Sequence, residues 1–289
     1  MNYRLFHFGS INIYSYGVMI ALAFIIGIYI ASKYAKKFKE DPQNIVDLCL
    51  YVMISSIFGA RLFYIISNIK YYLNNPIEIF YLQEGGLIFY GGLILGLGTA
   101  LMFLKLKKLN IFKYLDLLAP SVVLGQAIGR IGCFLNGCCY GRIVYNPKYS
   151  LCTVKFPKVI QIIENPKGYF HEEIIGAPAY LDHLHHGFIS ENDLFSLPVI
   201  PTQLISSIMD FIIFIILVLV FKKYKFNGQV LSTYLIIYSV GRFFIEFLRG
   251  DNPLIYPLSL TLSQIISIIL FITGIAIYKF CRKKVIKTI

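Results

Sequence analysis

Residues 125–141 read GQAIGRIGCFLNGCCYG, an apolar stretch interrupted by Arg130, Asn136 and three cysteines, Cys133, Cys138 and Cys139. A second apolar stretch, SVGRFFIEFLR at 239–249, carries Arg242, Glu246 and Arg249, and another carries Arg61. A charge at the centre of a lipid-embedded helix costs about 2.5–3.5 kcal/mol on insertion scales, so each arginine needs a reason. One reason is private to each residue: its side chain reaches outward to lipid headgroups. The other is shared. Forked guanidinium donors match phosphate oxygens, and Glu246, one helical turn after Arg242, lies on the same face and can pair with it. Several such groups meeting at one depth would hold a phosphate, and there the nearest phosphate belongs to a phospholipid.

The depth follows from the elements that carry these residues. Of the 289 residues, 57% are hydrophobic and 15% charged, against roughly 25% charged in a soluble domain. Apolar runs of the length that a bilayer core demands of a helix recur at 13–31, 45–66, 86–104, 114–135, 202–221, 230–248 and 258–280. They predict an all-α polytopic membrane protein, a single domain over 1–289 with seven transmembrane helices. The start, MNYRLFHFGSINIYSYG, lacks the basic region and small-residue cleavage site of a signal peptide, so the first run is expected to stay as a helix.

The net charge is +12, and most of the 27 lysines and arginines fall in four groups, at 33–39, 105–113, 222–225 and 279–287. These groups follow the first, third, fifth and seventh runs. The positive-inside rule then places the N-terminus outside and the C-terminus in the cytoplasm. A basic cytoplasmic rim facing anionic lipid accounts for the charge without nucleic acid. With that orientation Arg61, Arg130 and Arg242 lie toward the outer ends of their helices, and Tyr16 and Tyr90 lie in the outer halves of theirs. Asp116 precedes Arg130 by about 21 Å along a helix axis, so it is expected to be structural. Asp210 falls mid-membrane, where a polar contact with a neighbouring helix is expected.

The connection at 136–201 is long enough to form a small outer subdomain. It contains CTVKFP at 152–157, a candidate strand, and YLDHLHHG at 180–187, read as an exposed polar loop. The cysteines admit three readings. Cys133, Cys138 and Cys139 could hold zinc with one of His183, His185 or His186; a disulfide such as Cys139–Cys152 could form; or small residues could let helix and loop pack closely. The last sets the expectation: no metal, no cofactor, and activity that survives both chelation and reduction.

The stretch GRIGCFLNGCCYGR resembles the signature of the prolipoprotein diacylglyceryl transferases. YGVM at 16–19, GGLIFYGGLILG at 85–96, PTQL at 201–204 and YSVGRFFIEFLR at 238–249 resemble other landmarks of that family, in order. The resemblance implies transfer of the diacylglyceryl group of phosphatidylglycerol to the lipobox cysteine thiol of a prolipoprotein. Glycerol phosphate is released, in the first step of lipoprotein maturation at the bacterial plasma (inner) membrane. The partners implied are phosphatidylglycerol and prolipoprotein signal peptides carrying a lipobox cysteine. The site implied has Arg130 and Arg242 as essential arginines, with Tyr16, Asn136, Gly141, Glu246 and Arg249 around the headgroup. Joined to the reading of the residues, this gives Arg130, Arg242, Tyr90 and Glu246 as the catalytic set. Arg61, Tyr16, Asn136, Gly141 and Arg249, with Arg130, are the phosphatidylglycerol-binding set.

The chain departs from the family pattern in four places. Tyr90 stands where many members have histidine, Cys133 where asparagine is usual, Cys138 where glutamate is common, and Ser206 where another glutamate is expected. A phenol, of pKa about 10, is a poor base, so Tyr90 is expected to orient substrate while Glu246 or solvent takes the thiol proton. The departures leave two rivals: a paralogue of the same fold with a different acceptor, and a lipid-binding or transport protein without chemistry. A transporter would place polar residues on both sides of the midplane; here they gather on one.

Overall fold

The computed structural model describes residues 4–8, 11–74, 76–80, 86–146, 152–164, 170–174, 177–250, 254–255 and 259–286. Residues 1–3, Gly85, Lys287, the start of the seventh apolar run at 258, and stretches 147–151, 165–169 and 175–176 of the predicted outer insert lie outside the described residues. Along the chain come β1 (Arg4–Phe8), β2 (Ile11–Tyr14), α1 (Ser15–Lys37), α2 (Pro42–Ser67), α3 (Ile69–Asn74) and a 3₁₀ turn (Pro76–Phe80). Then follow α4 (Phe89–Leu106), α5 (Ile111–Asn136), β3 (Ile160–Glu164), β4 (Phe170–Ile174), α6 (Pro178–His185) and α7 (Thr202–Lys222). The chain closes with α8 (Gln229–Glu246), β5 (Leu254–Ile255), β6 (Leu260–Thr261) and α9 (Leu262–Ile286). The strands pair as antiparallel hairpins, β1 with β2, β3 with β4 and β5 with β6.

The protein is therefore a mostly helical, polytopic membrane protein. Among the described residues six helices, α1, α2, α4, α5, α7 and α9, are long and apolar enough to cross a bilayer. Helix α8 spans 18 residues but carries Arg242, Glu246 and several hydroxyls, which lower its hydropathy below theirs. Helix ends follow local chemistry. Asp41 caps α2, its side chain accepting from the Gln43 N–H at 2.9 Å with Pro42 in the first turn. Helix α1 runs six residues past its apolar stretch because Lys36 and Lys37 suit the negative end of the helix dipole.

The chain forms two compact units, residues 28–118 and residues 1–27 with 119–289. In the first, α2 and α4 meet through small residues: a Cβ added at Gly59 would lie 2.5 Å from the Gly91 carbonyl oxygen. In the second, α8 packs against both α7 and α9. Helix α5 approaches α1 at Gly132, where an added Cβ would lie 3.1 Å from Met19 and 3.2 Å from Tyr16.

Helix α5 stops at Gly137, whose φ of +75° only glycine adopts cheaply. Beyond it Tyr140, Phe156, Ala177, Ala179 and Val199 form a small core against Phe134, Ile143 and Val154. The candidate strand at 152–157 contributes single bridges, Val154 to Val199 and Pro157 to Phe195, and the paired strands β3 and β4 follow it. One expectation fails here. His183 is not in an exposed loop but on α6, 1% exposed, with Nδ1 accepting from the Leu197 N–H at 3.1 Å. It packs edge-on to Tyr140 and Phe188, because Tyr180 and His183 share the apolar face of a short amphipathic helix. His185 and His186 are exposed.

Candidate functional site

Arg242 and Glu246 stand one turn apart on α8, with Nη2 of Arg242 2.8 Å from Oε2 of Glu246. Both are braced by α9 and the strand before it. Ser263 accepts from Arg242 Nη2 at 2.9 Å, and Thr261 donates to Glu246 Oε1 at 2.8 Å. Glu246 is 3% exposed. The second guanidinium nitrogen, Nη1 of Arg242, is buried and has no hydrogen-bond partner among the described residues. A buried donor left unsatisfied costs about 1–3 kcal/mol, more for a charged group. This N–H set is open for an acceptor that the described residues do not supply.

Arg130 approaches the same cluster from α5. It interacts with Tyr238 of α8 through a hydrogen bond and feels Cys133, Cys139 and Arg249 electrostatically. Asp210 of α7, 2% exposed, feels both Arg130 and Arg242, and its Oδ1 has no described partner. Among the described residues, the guanidinium groups of Arg130 and Arg242 thus face the carboxyls of Asp210 and Glu246, with Arg249 near enough to act on both arginines. The open donor of Arg242 suits an anion with several acceptor oxygens.

The segment after α5 lies beside this cluster. Gly141 donates its N–H to the Ile200 carbonyl at 2.9 Å and bridges to Arg249; an added Cβ would lie 2.7 Å from that Ile200 oxygen and 2.8 Å from the Leu248 oxygen. Cys139 adopts φ +57°, a left-handed conformation uncommon for a residue with a side chain. Side chains of α7 hold it there: Thr202 Oγ1 donates to the Cys139 carbonyl at 2.8 Å, and Gln203 Nε2 to the Cys138 carbonyl at 2.7 Å. The sulfurs of Cys133, Cys138 and Cys139 lie within 4.8 Å of one another. Hydrogen bonds from Cys133 and Cys138, and then Arg249 and Arg130, draw the Cys139 thiol below its ordinary pKa. All six cysteines are free, so Cys139 and Cys152 are not joined. Asn136 interacts with Cys138, and Tyr16 feels the three cysteines and Arg130.

Arg61 and Tyr90 belong to the other unit. Arg61 is 7% exposed on α2, donating to the Ile79 carbonyl at 3.1 Å, the Glu78 carbonyl at 2.7 Å and the Gly86 carbonyl at 3.4 Å. Its guanidinium also lies over the rings of Tyr64 and Tyr72 at 5.8 and 5.5 Å. It lines a polar cavity of about 300 Å³ with Tyr71, Glu78 and Asn68. Tyr90, in the first turn of α4, is 41% exposed and packs on Phe89.

The structure brings Arg130, Arg242, Glu246, Arg249, Asn136, Gly141 and Tyr16 into one unit. It adds Asp210, Tyr238, Thr261 and Ser263, which sequence reasoning did not place there. Asp210 was visible as a mid-membrane carboxylate, but the neighbour it faces was not. Thr261 and Ser263 carry no signal of their own, since hydroxyls are common in apolar helices.

The profile of the family described as prolipoprotein diacylglyceryl transferase matches residues 4–280. A phosphatidylglycerol–prolipoprotein diacylglyceryl transferase of Clostridium tetani is 36% identical over 278 residues, 96% of this chain and 97% of that protein. One of Clostridium botulinum (strain Loch Maree) is 36% identical over 285 residues, 98% of this chain and 99% of its own. One of Finegoldia magna is 34% identical over 280 residues, 96% of this chain and 95% of its own.

Proposed function

This chain belongs to the prolipoprotein diacylglyceryl transferase family, and from that premise we propose that it is the membrane transferase moving a diacylglyceryl group from phosphatidylglycerol to a prolipoprotein. The acceptor is the lipobox cysteine at the end of a signal peptide. Its sulfur attacks the glyceryl carbon that bears the phosphate ester, a C–S bond forms, the C–O bond breaks, and glycerol phosphate leaves. Charge grows on the departing phosphate oxygens, and preorganised donors aimed at that position lower the barrier.

Arg130 and Arg242 are those donors. The observation that carries this reading is Nη1 of Arg242, buried without a partner among the described residues and close to Arg130 and Arg249. Glu246, fixed by Thr261, sets the direction of the Arg242 fork. Tyr16, Asn136, Gly141 and Arg249 surround the headgroup, Arg61 meets substrate from the cavity of its own unit, and Tyr90 orients the substrate.

Helix α8 is the seventh span in this reading. Its 18 residues cover about 27 Å, close to a bilayer core, and its charged groups face partners on α7 and α9 rather than lipid. The N-terminus is outside and the C-terminus cytoplasmic, in the inner membrane of a bacterium, with the arginine cluster in the outer leaflet. Incubating purified protein with phosphatidylglycerol and a lipobox peptide should yield a peptide heavier by one diacylglyceryl group. An unmodified peptide under conditions where a relative labels it would refute the assignment, and labelling of another acceptor alone would favour the paralogue.

A further inference from the structure

The mechanism above leaves three thiols without a task and a substrate thiol without a dedicated base. Cys133, Cys138 and Cys139 present sulfurs within 4.8 Å of one another at the end of α5. Three thiolates around one zinc at about 2.3 Å lie about 3.8 Å apart when tetrahedral, so the cluster needs only a small inward adjustment.

The cluster is also a built one. Thr202 and Gln203 grip the carbonyls of Cys139 and Cys138, Cys139 is held at positive φ, and the Cys138 N–H closes on the Cys133 carbonyl at 3.1 Å. Packing alone does not need a strained cysteine clamped by two buried side chains. A disulfide between any two of the sulfurs would leave the third over.

Among the described residues no histidine or carboxylate joins the sulfurs. His183 accepts from Leu197, and His186 is bonded to the Asp182 carbonyl at 2.8 Å. Three protein ligands with the fourth position open is the arrangement of zinc sites that act on a bound group, whereas structural sites are closed by four.

We propose that Cys133, Cys138 and Cys139 bind one zinc ion as thiolates, and that its fourth position takes the acceptor cysteine of the incoming peptide. The second half rests on the transferase reading; the first does not. On binding, the peptide sulfur displaces a zinc-bound water, its proton passes to bulk solvent, and a Zn–S bond forms. The metal thus holds the nucleophile as a thiolate where Tyr90 replaces a histidine. Cys133 follows Arg130 by three residues on α5, so the sulfur is delivered about one helical turn from the phosphate donor. Zinc with three thiolates carries one net negative charge, and with the peptide thiolate two. Arg130 and Arg249 oppose that charge. This departs from the expectation that the sulfurs merely pack.

The test uses the full-length protein, reduced and purified in detergent, loaded with zinc and passed over a desalting column. One zinc per chain is expected, falling at least tenfold in C138S and C139S, while C152S, altered at an exposed cysteine, keeps the full amount. Should the serine variants fail to fold, the wild type replaced with cobalt(II) serves alone. It should show thiolate-to-cobalt charge-transfer bands and a tetrahedral ligand-field spectrum. A lipobox peptide should shift that spectrum, and its cysteine-to-serine version should not.

Zinc below a tenth of an equivalent, or cobalt bands without thiolate character, overturns the site. A thiolate-cobalt spectrum indifferent to the cysteine peptide overturns its role with the acceptor. Neither readout depends on turnover, so a protein that binds zinc and peptide but makes no thioether would refute the transferase reading instead.

Discussion

Arg61 and Arg242 are the same residue type, each set in an apolar helix and each largely buried, but their surroundings differ in one respect. Arg61 spends its donors on three backbone carbonyls and lies over two tyrosine rings. Arg242 keeps Nη2 for Glu246 and Ser263 and leaves Nη1 buried without a described partner. An arginine in a membrane helix is therefore not by itself a site. What marks one is the hydrogen-bonding capacity left after the described residues have supplied their acceptors. By that criterion the cluster of α5, α7 and α8 is poised for an anion. The loop around Arg61 is stitched together by its arginine, which still borders a cavity.

The largest expected effect breaks the comparison on the side of chemistry. Arg242→Ala and Arg130→Ala should each lower transfer by about 10²–10³ or more, the usual cost of a lost transition-state donor. Membrane insertion should stay near wild type in both; Arg242→Ala also leaves the buried Glu246 without its ion-pair partner, so transfer is measured below a lowered melting temperature, on protein still folded. Either variant turning over at wild-type rate in a purified assay would remove the cluster from the reaction.

The converse change is the next largest. Arg61→Ala should act first on stability, because it leaves the carbonyls of Glu78 and Ile79 without their charged donor, and a hydrogen bond to a charged group is worth about 1.5–3 kcal/mol. A clear fall in melting temperature is expected, with any loss of headgroup contact appearing as a raised KM for phosphatidylglycerol. Unchanged stability with a lost kcat would place Arg61 among the donors and erase the contrast.

Position 90 sharpens the picture further. Tyr90→Phe should cost less than about tenfold in kcat/KM, since it keeps the ring that orients substrate and removes only a hydroxyl that is not assigned the proton. If Tyr90→Phe were as inactive as Arg130→Ala while Tyr90→His worked, the phenol would be the proton acceptor.

The long helices were legible because apolar length and basic punctuation are local properties; the run at 202–221 differs from α7 by a single residue. Helix α8 shows the limit of that reading, since Arg242, Glu246 and its hydroxyls dilute its hydropathy. Sequence gives the depth of Arg130, Arg242 and Asp210 along their helices but not the rotation that turns them toward each other, so Asp210 was left without a neighbour. Depth alone puts Arg61 with the other arginines. Its carbonyl partners come from the turn at 76–80 and from Gly86, backbone groups that leave no trace in side-chain patterns. The cysteines were visible as a group from their spacing, but the grip of Thr202 and Gln203 on their backbone was not.

His183 was misjudged for a related reason, and it carries the smallest expected effect. A histidine among polar residues reads as solvated, but the 3.6-residue period of α6 turns His183 into the core and His185 outward, while His186 caps the helix end and is exposed. Burial holds its pKa below the ordinary 6.5, partly offset by Asp182 and reinforced by His186. Protonation would also place a hydrogen on Nδ1, where the Leu197 N–H already points. The folded state therefore binds the proton less readily than the unfolded chain, and stability rises with pH wherever the unfolded chain holds more protons. The contribution of the neutral ring is complete above about pH 6.5 and is lost as the pH falls below it, at no more than about 1.4 kcal/mol per pH unit. Protection against hydrogen exchange over residues 177–200, taken relative to the intrinsic rate, should fall between pH 7.5 and 5.5, and His183→Gln should remove that dependence while leaving transfer at pH 7.5 close to wild type. Protection in this segment that is independent of pH in both proteins would refute the packing that distinguishes His183 from its neighbours.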